Sequence, residues 1–328
     1  MHPLVSIIIP TYNRAHLIGE TLDSILAQTY PHWECIIVSD GSKDHTDEVV
    51  GAYVQKDARF RYYHRPDSHK PGGNGARNYG FEVSRGEYVK WFDSDDIMKP
   101  VFLENQVNLL SNNPTLDFCS CQFEYFTAEK NKIKNISNTR PINHPLYALF
   151  LESLILPTPA PLWRKSFLDK IHINFNEDLF YAQESDFNVR VMAHNPIFKI
   201  TEDFDFLVRR GHPSIENSST TDLKSKISSL YYFENSYQLI RKTDFDNRSR
   251  LLRYLLLRIL SQSLMVMSHQ TVYRRIQWAS KTRYWLFSKE LKSDEKTDAL
   301  LAFWSFIIFK KGYRVYEKFK RKIGNRVE

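Results

Sequence analysis

Apolar residues fall in short, nearly unbroken blocks up to residue 93, and these blocks alternate with stretches whose apolar residues recur every third or fourth position. LVSIIIP predicts a strand, Leu17 to Gln28 a helix and WECIIVS a second strand. A helix at His45 to Gln55, a strand at Phe60 to His64, a helix at Asn74 to Ser84 and a strand in EYVKWFD continue the rhythm. Strands apolar throughout and joined by helices imply an α/β fold, a mostly parallel central sheet flanked by helices. The pattern loosens from about Glu124 to Pro161, ending in PTPAP, which marks loops on the way to a second lobe. Residues 223 to 323 are almost free of Gly and Pro, and their helical spacing of apolar residues predicts a helical C-terminal region.

Ligands of parallel sheets bind beyond the carboxyl ends of the strands. The polar clusters lie there: TYNRA after the first strand, SDGSKD after the second and DSDD after the fourth. In DSDD, alternation along an extended chain lets Asp93 and Asp95 face one ligand. A divalent cation would offset their repulsion, and Mg2+ or Mn2+ uses one or two protein carboxylates with water and substrate phosphates. The competing reading is a solvated turn whose Asp96 caps the helix that KP opens at Lys99 and Pro100. HKPGGNGARNYG offers glycines for close backbone approach and Arg77 for a phosphate. Asn78 stands where a dinucleotide fingerprint needs its third glycine, so a Rossmann dehydrogenase loses its main support. Asp40 suits a base or ribose hydrogen bond and Tyr12 a nucleobase face; the alternatives are a turn residue and simple packing.

VSIIIPTYNRAHLIGETLDSILAQTY, VSDGSKDHTDEV, GARNYGFEVSRGEYVKWFDSDD and AQESDFNVRV resemble, in order and spacing, successive motifs of family 2 glycosyltransferases of the GT-A fold, over roughly residues 4 to 215. The resemblance implies that Pro10, Tyr12 and Asp40 hold the nucleoside, Arg77 the nucleotide or its phosphates, and Asp93 with Asp95 the ribose and metal. It also implies a carboxylate base just before a short helix. Aligning through Asp186, Phe187 and Arg190 places Glu184 there, preceded by Gln183, where the family more often has an acidic pair ending in Asp. Asp186 is the rival base, and its place ahead of FNVRV also suits a helix cap. RRGHPSIENS resembles the family's Arg-x-His-x-x-Ser segment, so His212 would complete the metal shell or meet the diphosphate; a surface histidine is the alternative. Trp163, Arg164 and PTPAP are nominated as near the acceptor.

The chain of 328 residues carries a formal charge of +7, and location decides what that means. Residues 305 to 328 hold eight Lys or Arg against two Glu, an excess of six beside LLAFWSFIIF, so the charge is not spread over the crevice and nucleic acid is a poor partner. An anionic membrane surface is a candidate partner for this segment, with a core helix as the alternative. Cys35, Cys119 and Cys121 make no disulfide or zinc framework and, with no signal peptide expected at LVSIIIP, fit a cytoplasmic protein, peripheral on the inner membrane face if the tail binds.

The expectation is therefore a metal-dependent inverting glycosyltransferase, with residues 1–215 as the GT-A nucleotide-sugar-binding and catalytic domain and 216–328 as a helical, basic region. It would move a sugar from a nucleotide sugar, a UDP-sugar, to a saccharide or lipid-linked acceptor in polysaccharide or glycolipid synthesis. An inactive nucleotide-binding scaffold or membrane protein of the same fold is the second reading, carried by the departures at Gln183 and Glu184. Nucleotidyl transfer ranks last for want of an N-terminal glycine-rich phosphate loop.

Overall fold

The computed structural model describes residues 2–127, 132–136, 142, 144–151, 154–211 and 223–309. The chain forms two compact units, one of residues 1–141, 154–178 and 183–213, the other of 142–153, 179–182 and 214–328.

In the first unit, β1 (Val5–Thr11), β2 (Trp33–Ser39), β3 (Phe60–His64) and β4 (Tyr88–Trp91) run parallel in the order β3-β2-β1-β4. Val5, Ile7, Ile8 and Ile9 of β1 and Cys35 to Val38 of β2 have no exposed surface on either face, because helices cover both sides. Those helices include α1 (Ile18–Leu26), α2 (Thr46–Lys56) and α3 (Gly73–Glu82). α1 forms where Ile18, Leu22 and Ile25 fall on one buried face.

The other half of the sheet is mixed. It is built from β5 (Ile97–Met98), β6 (Phe118–Phe126), β7 (Lys132–Ile136), β8 (Leu162–Arg164) and β9 (Phe198–Arg209), with α4 (Phe102–Asn112) between β5 and β6. The order continues from β4 through β8, β6 and β9 to β5, with β7 on β6; β8 is antiparallel to both β4 and β6, and β9 is parallel to β6. The stretch expected to be loops after Glu124 thus contains sheet, which alternation masks because its strands are short or shared between pairings. Cys119 and Cys121 are buried in β6, where burial raises both thiols, so they serve packing.

α3 lies close on β1, and Gly80 makes this approach: a methyl there would stand 2.3 Å from Ile8 Cγ2. Gly80→Ala is expected to cost about 1–3 kcal/mol as an overpacked contact. Gly51→Ala, in α2 with nothing within 4 Å, is expected to gain about 0.5–1 kcal/mol from helix propensity. Thermal melts of the two variants should move in opposite directions.

The second unit holds α5 (Pro145–Leu151), while α6 (Lys165–Ile171) and α7 (Gln183–Met192) belong to the first. The helical region expected over 223–323 is met by α8 (Leu223–Ile240), α9 (Arg248–Ser268), α10 (Val272–Leu286) and α11 (Ser293–Phe309); residues 310 to 323 lie outside the described residues. α9 is long and apolar enough to cross a membrane, but 67% of its apolar window is buried in the protein. Leu251, Leu255, Ile259 and Leu264 have no exposure, and buried Glu295 of α11 pairs with Arg253 of α9 at 2.5 Å. These are the marks of a core helix.

Candidate active site

The loops after β1 and β2 lock one another. The Asn13 N–H donates to Ser42 Oγ at 3.1 Å, the Arg14 N–H to Thr46 Oγ1 at 2.9 Å and the Ala15 N–H to Asp44 Oδ2 at 3.1 Å. In return the Lys43 N–H donates to Asn13 Oδ1 at 2.8 Å. Asn13 takes φ 52°, a left-handed conformation that Asn tolerates better than most residues. The polar residues of TYNRA and SDGSKD therefore satisfy backbone groups that have left the sheet. Tyr12 stays 52% exposed, as a nucleobase platform would. Pro10 lies within β1 opposite Val38. The Asp40 carboxylate accepts from Arg65 Nε at 2.5 Å. Arg65 carries no motif; it reaches Asp40 because β3 pairs with β2 up to His64 and Ser39, one residue earlier in each strand.

Three carboxylates leave β4 together, and each is settled differently. Asp93 Oδ1 accepts from Arg77 Nη2 at 3.0 Å, and Asp95 Oδ2 lies 3.7 Å from Arg14 Nη2. Asp96 is buried and accepts from the Arg209 N–H at 3.0 Å. Burial first, then the charges of Asp95 and Asp93, push its pKa well above the usual carboxylate range. Asp96 is not the helix cap its position suggested: Ile97 pairs with Leu207 of β9 in the intervening β5, and α4 opens only at Phe102. Arg209 Nε also donates to the Asp95 carbonyl at 3.0 Å, so β9 fixes the acidic loop from behind.

Arg77 projects from α3, whose first turn needs glycine where the preceding loop packs on it: a methyl on Gly75 would meet the Lys70 carbonyl oxygen at 2.2 Å. Asn78, which breaks the dinucleotide pattern, has a structural task. Its amide donates to the Phe175 carbonyl and accepts from the Phe175 N–H, both at 2.9 Å. Asn74 Nδ2 donates to the Asn176 carbonyl at 2.7 Å, and Glu177 accepts from the Lys70 N–H at 2.7 Å. The loop that opens α3 is thereby tied to the segment that precedes α7.

α7 is anchored by Phe187, stacked on Phe175 at 4.3 Å and edge-on to Trp91 and Trp163. Its first turn carries Glu184, whose Oε2 accepts from the Thr158 N–H at 2.6 Å and the Thr158 hydroxyl at 2.8 Å. Burial of the carboxyl pushes its pKa to about 7; the Thr158 hydrogen bonds and Arg77 oppose this and Asp93 adds to it. Glu184 therefore belongs electrostatically with Asp93 and Arg77. Asp186 differs: it is buried, past the first residues of the helix rather than capping it, and bound by Arg190 Nη2 at 2.7 Å and Nε at 2.8 Å. Trp163 is 1% exposed on Phe118, and Arg164 donates to the carbonyls of Leu116 and Leu110, both at 2.7 Å. Both are core elements; of the segment nominated for the acceptor, Thr158 is what reaches Glu184. His212 lies outside the described residues.

Among the described residues no group of three or more His, Cys, Asp or Glu could hold a metal by itself. The pair Asp93 and Asp95 fits a hard cation that takes the rest of its shell from water and a diphosphate. Arginine contacts now occupy both carboxylates.

The profile of glycosyl transferase family 2 matches residues 6–171, just over half the chain. The chain belongs to this family. An uncharacterized glycosyltransferase of Rickettsia felis is 35% identical over 208 residues, 60% of this chain but only 32% of the relative's length. S. aureus TarS residues 1–349, solved with UDP-GlcNAc, superposes with a TM-score of 0.67 at 18% identity, covering 97% of this chain and 92% of that one. The mannosyltransferase PcManGT of Pyrobaculum calidifontis, solved with GDP-Man and Mn2+, gives a TM-score of 0.55 at 18% identity, covering 95% of this chain and 88% of that one. These likenesses show the GT-A fold with C-terminal helices.

Proposed function

We propose that this family member is an inverting glycosyltransferase that moves a sugar from a nucleotide sugar, a UDP-sugar, to an acceptor hydroxyl in polysaccharide or glycolipid synthesis. The observation that carries the reading is the convergence of a raised-pKa carboxylate, Glu184, with Arg77 and Asp93 in one electrostatic neighbourhood. Perturbed acids beside a phosphate-binding cation are what proton abstraction next to a departing diphosphate needs.

Tyr12 would lie against the base, with Pro10 beneath it, and Asp40, steadied by Arg65, would accept from the nucleoside. Arg77 has a buried Nε without a hydrogen-bond partner, which suits a phosphate oxygen. Asp93 and Asp95 would hold Mg2+ or Mn2+, and the cation would supply charge neutralisation on the leaving diphosphate. Glu184 takes the proton of the acceptor hydroxyl as that oxygen bonds to the anomeric carbon and the bond to the nucleoside diphosphate breaks. Attack from the face opposite the leaving group inverts the configuration, and an α-linked donor gives a β-glycoside. Asp186, committed to Arg190, would support α7. The test is nucleoside diphosphate release from UDP-GlcNAc, UDP-glucose and GDP-mannose with Mn2+ present. Release from none of them returns the chain to the nucleotide-binding scaffold reading.

Membrane attachment is part of the same proposal. Leu301 and Trp304 of α11 are 57% and 59% exposed just ahead of the basic tail, whose own residues lie outside the described ones. In flotation with anionic liposomes, the full chain should float and a chain ending at Phe309 should float less. That end point keeps buried Ala302 and Phe303 in place. Salt should release part of the full chain, because surface charge is screened over about 8 Å at physiological ionic strength while inserted aromatic side chains resist it. Equal flotation of both chains removes the tail's role.

A further inference from the structure

Leu156 to Pro161 carries no ionisable group, yet buried donors converge on its carbonyls. Asn188, on the helix that bears Glu184, donates to Leu156 O at 2.8 Å, and Gln106 donates to Ala160 O at 2.8 Å. Lys90 Nζ reaches Pro159 O at 2.8 Å, Pro161 O at 3.2 Å and Ala160 O at 3.3 Å. Lys90 has no exposed surface and stands in β4, three residues before Asp93. Burial pulls its pKa down to about 7, but three carbonyls match the three donors of an ammonium, and Nζ also lies 3.9 Å from the Phe102 ring centre.

The prolines at 157, 159 and 161 have no N–H, and the Ala160 N–H is used within the segment on Pro157 O at 2.9 Å. Within 157–161 this leaves one backbone donor, the Thr158 N–H, which points with the Thr158 hydroxyl at one oxygen of Glu184. We infer that Thr158 is a positioning residue for the base, and that Lys90, through the carbonyls of 159 to 161, holds it in place. The inference rests on the reading of Glu184 as that base. Two donors on Oε2 restrict the carboxylate and leave Oε1 for the acceptor hydroxyl, and such pre-set orientation is what general-base reach demands. Strand β4 then sets both sides of the reaction: the diphosphate side through Asp93, and the base through Lys90 and Thr158.

The experiment compares wild type, Thr158→Val, Thr158→Ser, Glu184→Gln and the Thr158→Val/Glu184→Gln double variant. It follows nucleoside diphosphate release from UDP-GlcNAc and GDP-mannose with Mn2+ and water as acceptor. Thr158→Val should lower kcat by about tenfold, the worth of one hydrogen bond to a charged group, with donor KM unchanged. Thr158→Ser should recover most of that loss, and Thr158→Val should add nothing to Glu184→Gln. A wild-type kcat in Thr158→Val, no recovery in Thr158→Ser, or a further loss in the double variant overturns the inference. Melting temperatures of the same proteins at pH 8 test the contact without turnover: Thr158→Val should cost more in wild type, where it loses a hydrogen bond to a charged carboxylate, than in Glu184→Gln, where the acceptor is a neutral amide, and a cost that is no larger in wild type overturns it. Failure of the underlying reading looks different, namely Glu184→Gln at wild-type kcat. Lys90→Met should lower kcat in the same way, and a melting loss with unchanged kcat removes Lys90 from the device.

Discussion

Glu184→Gln is expected to bind the nucleotide sugar as wild type does and to lose transfer by about 10²-fold or more, the usual worth of a general base. The amide is close in shape, and its oxygen can still accept from Thr158, so α7 and the 156–161 segment should stay in place. What is lost is the ability to take a proton. The pH dependence gives a second signature. Only the ionised carboxylate is a base, so the wild-type rate should fall as pH drops through about 7, and this acid limb should be absent from the residual rate of the variant.

Stability should move the opposite way to activity. The carboxyl of Glu184 is raised in the folded protein, so the native state holds the proton longer than the unfolded chain. Stability therefore falls as pH rises from the ordinary glutamate range through about 7, and the full penalty is present above that. Glu184→Gln removes the penalty and should melt higher than wild type at pH 8, with a smaller gain at pH 5.5. Asp186→Asn is the control: it breaks the ion pair with Arg190, so it should lower the melting temperature and spare much of the rate. If Asp186→Asn abolishes turnover in a folded protein while Glu184→Gln does not, the base assignment moves to Asp186.

The parallel half of the sheet was legible because its strands are apolar at every position, and burial on both faces writes that pattern directly into β1 and β2. The mixed half was not: β8 has three residues and β5 two, too few for alternation to register. At the site, residues placed by sequence motifs, such as Asp93 and Arg77, proved to be partners. Those placed by long-range pairing left no local trace. Arg65 reaches Asp40 through strand register, and Lys90 looks in sequence like an interruption of a core strand. The competing reading of Asp96 as a helix cap fails because a two-residue strand, invisible to periodicity, separates it from the helix. Thr158 was within a segment singled out for its prolines, but the acceptor role proposed there rested on proximity alone, and its hydrogen bonds go to Glu184.

Asp95→Ala is expected to uncouple donor binding from the divalent cation. Without metal, the carboxylates of Asp93 and Asp95 oppose an incoming diphosphate, and Arg77 and Arg14 are already paired with them. Binding of UDP should therefore need Mn2+ or Mg2+, and calorimetry in EDTA should show it lost from wild type. In Asp95→Ala the cation has one protein carboxylate left. Metal-supported affinity should fall by more than the roughly 10–100-fold that losing an outer-shell partner costs a metal site. The variant also frees Arg14, whose guanidinium can then meet the diphosphate directly, so weak binding in EDTA should be stronger in Asp95→Ala than in wild type. That crossover is specific to a carboxylate that serves the cation and restrains an arginine. Wild-type UDP affinity that is equal with and without metal would take Asp93 and Asp95 out of the metal site and leave their arginine pairs as structural contacts of the acidic loop.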